Sequence, residues 1–170
     1  MTIFSGIAEG GASAEAYTLD LDSGEWKGPL QTSGTPPVAR HGHTAVAWGY
    51  NNGTAKMTIA FGETIAIPGN MTHPAPPAQA LNDSFTLDLQ TNAWSRVPPA
   101  PALAARSGHT AVVWENEIGE SVMTAYGGRG STINPPLNPA PITWTTLDTV
   151  VSLNLDSNIW SNNTPTGTTV

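Results

Sequence analysis

The side chains able to do chemistry in this chain are few, and most of them recur. His43 and His109 each follow an Arg-x-Gly, as Arg40-His41-Gly42-His43 and Arg106-Ser107-Gly108-His109. Paired imidazoles suit metal binding or general-base work. Here, however, they occupy one position of a tandem repeat, so a rotation separates them and nothing requires them to converge. No Ser-His-Asp set is left once the histidines have repeat duties. Asp20, Asp88 and Asp156 border turn sequences and read as turn formers rather than general acids. The chain has no cysteine, which removes disulfides, thiolate metal sites and cysteine nucleophiles together. No cofactor is implied. Outside the repeated positions stand His73, Arg129 and Trp144, all in long proline-rich segments. They are the candidates for a ligand-facing surface, with plain solvation the simpler reading of His73.

The elements that hold these residues follow from the repeat, which governs the rest of the reading. The segment 39–48 returns as 105–114, a shift of 66 residues. Residues 85–94 are echoed by 151–160, and 57–62 resemble 122–127. A partial copy opens the chain at 1–6 and 17–26. Each full copy reads as four short strands, at 42–48, 56–61, 84–89 and 93–97 in the middle copy. Between the third and fourth strands lie Gln90-Thr91-Asn92, Asp156-Ser157-Asn158 and Asp22-Ser23-Gly24, all tight-turn chemistry. No segment has helical periodicity. Four-stranded units in tandem point to an all-β fold, a β-propeller of antiparallel blades.

Composition agrees. Glycine (17) and proline (15) are abundant, charged residues are 11%, and hydrophobic residues are 39%, which describes a turn-rich β protein rather than a disordered one. A net charge of −7, with Lys27 and Lys56 the only lysines, argues against nucleic-acid binding, which needs a basic footprint on phosphate. No apolar run reaches bilayer length. Sequons at Asn52, Asn70, Asn82 and Asn162 lean toward a secreted or extracellular, glycosylated setting.

The set of motifs resembles the kelch repeat, within the galactose-oxidase-like propeller superfamily. The residues that carry the likeness are Arg40, Gly42, His43, Gly62, Asp83 and Trp94 in the middle copy. In the last copy they are Arg106, Gly108, His109, Gly127, Gly128, Asp148 and Trp160, and Trp26 represents the first. The resemblance implies that arginine and imidazole bond backbone groups at the start of the innermost strand. It also implies that Trp26, Trp94 and Trp160 pack between blades. Trp48 and Trp114, ending the innermost strands, read as packing or as a sugar-stacking platform. Two departures stand out: Gly62 is followed by Glu63, which breaks the double glycine, and the repeat is long.

The reading divides the chain into a partial blade at 1–28 and blades at 38–97 and 104–163, about two and three-quarter blades in all. Four or more are needed to close a ring. Such a chain is expected to be a fragment of a longer protein, or to need partner subunits, with further blades covering its ends. The insertions 63–81 and 129–146 and the connectors 27–39 and 97–105 are expected on one face. The expected function is a non-catalytic module binding a protein or a glycan through that face. The alternative is the scaffold part of a galactose-oxidase-like or other secreted carbohydrate-active enzyme whose catalytic residues lie elsewhere. The copper oxidases of that group use a cysteine, which this chain lacks.

Overall fold

The computed structural model describes residues 1–8, 11–50, 53–65, 78–100, 103–133 and 142–163. Among them every regular element is a strand. The first sheet holds β1 (Thr2–Ala8), β2 (Gly11–Leu19) and β3 (Trp26–Lys27) in that order. The second holds β4 (Ser33–Gly34), β5 (Thr44–Trp48), β6 (Lys56–Ala60), β7 (Ser84–Asp88) and β8 (Ala93–Arg96), ordered β4-β8-β7-β6-β5. The third holds β9 (Thr110–Glu115), β10 (Ser121–Tyr126), β13 (Val150–Asn154) and β14 (Ile159–Asn162), ordered β14-β13-β10-β9. A separate ribbon pairs β11 (Arg129–Ile133) with β12 (Ile142–Thr146).

The second sheet is apolar on both faces because it is covered on both. Along β6, Met57 and Ile59 join Phe85, Leu87 and Trp94 in a core shared with Phe4 and Ala16 of the first sheet. Ala60, with Val46 and Trp48 of β5, instead joins Met123, Ala125, Val151 and Leu153 of the third sheet. Period-2 alternation thus sends successive residues into two different cores. The three sheets are stacked blades that do not close a ring among the described residues, an arrangement consistent with a propeller segment.

The turns between third and fourth strands are built alike. Asp20 Oδ1 accepts the backbone N–H groups of Asp22 and Ser23 at 3.0 and 3.1 Å. Asp88 Oδ1 accepts those of Gln90 and Thr91 at 2.9 and 2.8 Å. Asn154 Oδ1 accepts those of Asp156 and Ser157 at 3.1 and 2.9 Å. These bonds hold the Asp20 and Asp88 carboxyls below their ordinary range. Gly24, Asn92 and Asn158 then close the turns at φ of 74°, 55° and 59°. Asp156 is a turn residue whose carboxylate accepts Ser121 N–H at 2.8 Å, so the turn-forming position in the last copy belongs to Asn154.

Two segments read as loops carry strands. Within 27–39, β4 lies parallel to β8 and gives the second sheet a fifth strand, with Ser33 opposite Ala93 and Gly34 opposite Trp94. A Cβ on Gly34 would strike the Trp94 carbonyl, so only glycine fits. Within 129–146, the β11–β12 ribbon pairs Arg129 with Thr146 and Ser131 with Trp144.

The blades follow a constant shift of 66 residues, which corrects the alignment from the second strand onward to the start of the third. Trp48 Nε1 donates to Thr58 Oγ1 at 2.8 Å, and Trp114 Nε1 to Thr124 Oγ1 at 2.9 Å. Met57 therefore matches Met123, not Val122. The double-glycine positions are Phe61-Gly62 and Gly127-Gly128, with φ of 61° and 100° against 72° and 90°. Gly62 is the second glycine of its copy, and the first is replaced by a phenylalanine held in the left-handed region. A Cβ at Gly62 would press on His41 O and His43, and one at Gly128 on Ser107 O and His109. Close approach to the start of the first strand of the same blade, β5 or β9, is why the second glycine is kept in both blades.

Candidate functional site

The segments before β5 and β9 run beside the segments after β6 and β10, through isolated bridges His41–Glu63, Glu63–Ala80, Leu81–Arg106 and Ser107–Arg129. This end of the stack carries both insertions.

Its buried floor is made by the motif arginines. Arg40 donates to Phe61 O at 2.9 Å and Val38 O at 3.1 Å, and grips Asp83 through two bonds of 2.6 and 3.3 Å. Its guanidinium also lies 5.4 Å from the centre of the Phe85 ring. Arg106 is equally buried but has neutral partners: Gly127 O at 3.2 Å, Thr149 O at 3.3 Å and Thr149 Oγ1 at 3.0 Å, with the Phe61 ring 5.3 Å away. At the shift of 66 residues Asp83 matches Thr149, so Asp148 is not the motif acid; it is exposed and Thr149 bonds the arginine.

Burial pushes both motif histidines down to a pKa of about 4, helped by the adjacent arginine in each case. His109 Nε2 bonds the Thr44 hydroxyl of the neighbouring blade at 2.7 Å rather than a backbone group of its own strand. Gly42 and Gly108, at φ of 63° and 65°, bring the two strand starts together through a 2.9 Å bond from Gly108 N–H to Gly42 O. His43 stands edge-on to Phe4 at 5.8 Å, and His109 edge-on to Phe61 at 5.2 Å. The histidines and glycines here hold blade to blade, while the arginine side chains tie together the segments of their own blade.

The outward side of this end is different in kind. Arg129 is half exposed and donates from Nη2 to both oxygens of buried Glu63, at 2.8 and 3.1 Å. Its guanidinium plane sits 4.3 Å from the Trp144 ring centre. His41 Nε2 approaches Glu63 Oε1 at 3.4 Å, and Ala80 N–H donates to Ser131 Oγ at 2.8 Å. Arg129 and Trp144 are therefore brought together, on β11 and β12, while His73 lies outside the described residues. Glu63 and His41 were not singled out from sequence. Their signal is positional: Glu63 and Arg129 are the same repeat position in successive blades, carrying opposite charge. Both Glu63 bonds use Nη2, and about half of the Arg129 side chain is exposed.

Trp94 and Trp160 lie in like surroundings, 5.1 Å from the Phe4 ring and 5.2 Å from the Phe61 ring. Trp26 is exposed on the outer face of the first blade. Trp48 is buried beneath Lys56, whose ammonium is 4.7 Å from the ring centre, which makes it a packing residue. With Trp114 it borders a cleft of about 250 Å³ at the opposite end. Asn82 and Asn162 are exposed; Asn52 and Asn70 lie outside the described residues.

Comparison with known families decides the identity. The KLHDC2/KLHL20/DRC7 Kelch-repeats domain model matches residues 1–170. The chain belongs to the kelch-repeat family. A curated relative is the Acyl-CoA-binding domain-containing protein 5 of Arabidopsis thaliana, 28% identical over 140 residues. That match covers 80% of this chain and 18% of the relative, so the kelch segment spans under a fifth of that protein's length. Among the described residues no helix is long and apolar enough to cross a membrane. A kelch repeat domain indicates a protein-interaction propeller module.

Proposed function

We propose that this kelch segment, with blades at 1–28, 38–97 and 104–163, is a non-catalytic module that binds a protein partner at the face carrying Arg129 and Trp144. The observation behind it is the pairing itself. An arginine fork is braced from behind by a buried carboxylate of the preceding blade and capped on one plane by an indole. Such an arginine loses little rotamer freedom on binding, and an indole beside it supplies apolar contact area. Rigid sheets below and insertion segments around it form the usual geometry for recognition by loops. A polypeptide suits this platform because a half-exposed guanidinium matches a carbonyl or carboxylate acceptor.

The test is quantitative binding by the intact kelch protein. Arg129→Ala and Trp144→Ala should each reduce retention of its protein partners by the folded protein roughly tenfold or more; Trp144→Ala should leave melting nearly unchanged, whereas Arg129→Ala also takes the arginine from buried Glu63 and should lower it. Lys27→Ala, on the outer strand of the first blade, should leave retention as it is. Equal retention by all three variants, or selective capture of a glycan in an array with no protein bound, would reject the reading.

A further inference from the structure

Two buried arginines hold the same position in successive blades, and only one of them has an acid. Arg40 is 0% exposed and Arg106 is 1% exposed. A guanidinium carries a fork of N–H donors and stays charged at any working pH. Arg40 bonds Val38 O through Nε, Phe61 O and Asp83 Oδ1 through Nη1, and Asp83 Oδ2 through Nη2. Arg106 bonds neutral acceptors alone: Gly127 O and Thr149 O through Nη1, and Thr149 Oγ1 through Nη2. Its Nε–H is buried with no hydrogen-bond partner among the described residues.

The shortfall belongs to the third blade itself. Every acceptor of the Arg40 side chain comes from its own blade, although a complete blade packs beside it. The equivalent set for Arg106 therefore lies within 104–163. There Thr149 stands at the position of Asp83, and its neighbour Asp148 is exposed. Glu115, Glu117, Glu120 and Asp156 lie at the opposite end of the sheet, around the β9–β10 hairpin. Glu63, in the preceding blade, is committed to Arg129. A buried charge without a counter-charge is among the costliest features a fold can carry.

We propose that Arg106 holds a small monovalent anion of halide size, bound at its Nε–H and standing where the Asp83 carboxylate stands for Arg40. One negative charge is what the other blade supplies at this position. The burial of Arg106 admits nothing as bulky as a phosphate or a sugar acid. An ordered water would accept the Nε–H and still leave the charge uncompensated. The site is separate from the Arg129 surface, and neither proposal depends on the other.

Urea unfolding of the chain in sodium chloride and in sodium gluconate, exchanged at constant ionic strength, tests it. Gluconate is too large to enter. Stability should therefore climb as chloride replaces it, by about 1.4 kcal/mol for each tenfold rise above the dissociation constant. Thr149→Asp gives Arg106 a carboxylate of its own. That variant should lose the chloride dependence, and its gain over the parent should be largest where chloride is lowest. Crystals of the parent grown in bromide should show an anomalous-scattering peak in contact with Arg106 Nε. A parent midpoint indifferent to chloride would overturn the proposal. So would a chloride dependence that survives in Thr149→Asp, or a bromide-grown crystal with a water, or nothing, at Nε.

Discussion

Asp83 and Thr149 hold one repeat position with different chemistry, and exchanging them measures what the carboxylate contributes. Arg40 is fully buried, and Asp83 is its one charged partner among the described residues, through bonds of 2.6 and 3.3 Å. Asp83→Leu removes that partner and leaves the guanidinium with only the Phe61 and Val38 carbonyls, so it should cost about 3–5 kcal/mol. Asp83→Thr should cost less, about 1–2 kcal/mol, because the third blade already seats Arg106 on a threonine hydroxyl and two carbonyls. The reverse change, Thr149→Asp, gives Arg106 a carboxylate that it lacks. Burial already lowers the Arg106 pKa, the signature of a guanidinium short of compensation. The gain should be about 1 kcal/mol, after desolvation of the new acid is set against the charge-assisted bonds. Urea unfolding followed by fluorescence and circular dichroism together gives the three values, with coincident transitions as the check on two-state behaviour. For a chain of this size each kcal/mol moves the melting midpoint by about 2–4 °C. Asp83→Thr as damaging as Asp83→Leu, or a destabilising Thr149→Asp, would refute the claim that the two sites are interchangeable.

Two further outcomes follow from burial. Trp94→Ala should cost about 3–5 kcal/mol, whereas Trp26→Ala at the equivalent but exposed position should change the stability of the isolated chain by about 0.5 kcal/mol or less; comparable losses in chemical denaturation would contradict the assigned packing. His43 and His109 have folded pKa values of about 4 against an ordinary 6.5, so the unfolded chain binds the extra protons. Their contribution is complete above pH about 6.5 and is lost as pH falls toward about 4, up to about 3 kcal/mol for each histidine. Urea midpoints measured across that interval should flatten in the His43→Gln/His109→Gln double variant, and an unchanged slope would assign the acid sensitivity to other groups.

The repeat made the architecture readable, since strand spacing, turn residues and Trp positions all survive in three copies. What could not be read traces to particular residues. Phe61 sits at φ 61°, where a bulky side chain is rare, so a search for paired glycines aligns Gly62 with Gly127 and slips one residue. That slip hid Thr149 behind Asp148, and it hid the opposition of Glu63 and Arg129. The β11–β12 ribbon was masked by Pro135, Pro136, Pro139 and Pro141, although Ile142-Thr143-Trp144-Thr145 already had strand alternation. β4 is two residues long and pairs in parallel with a distant strand, which leaves no local pattern. Arg129 and Trp144 could be named but not joined, because their distance depends on the register of that ribbon.

Aromatic packing across successive blades is what everything else rests on, and paired double-mutant cycles measure it directly. Phe4→Leu with Trp94→Phe and Phe61→Leu with Trp160→Phe each isolate one aromatic contact from the area it buries. The account predicts coupling of about 0.5–1.5 kcal/mol in both cycles. No coupling in either pair would show that the tryptophan of that pair does not pack across the blade joint.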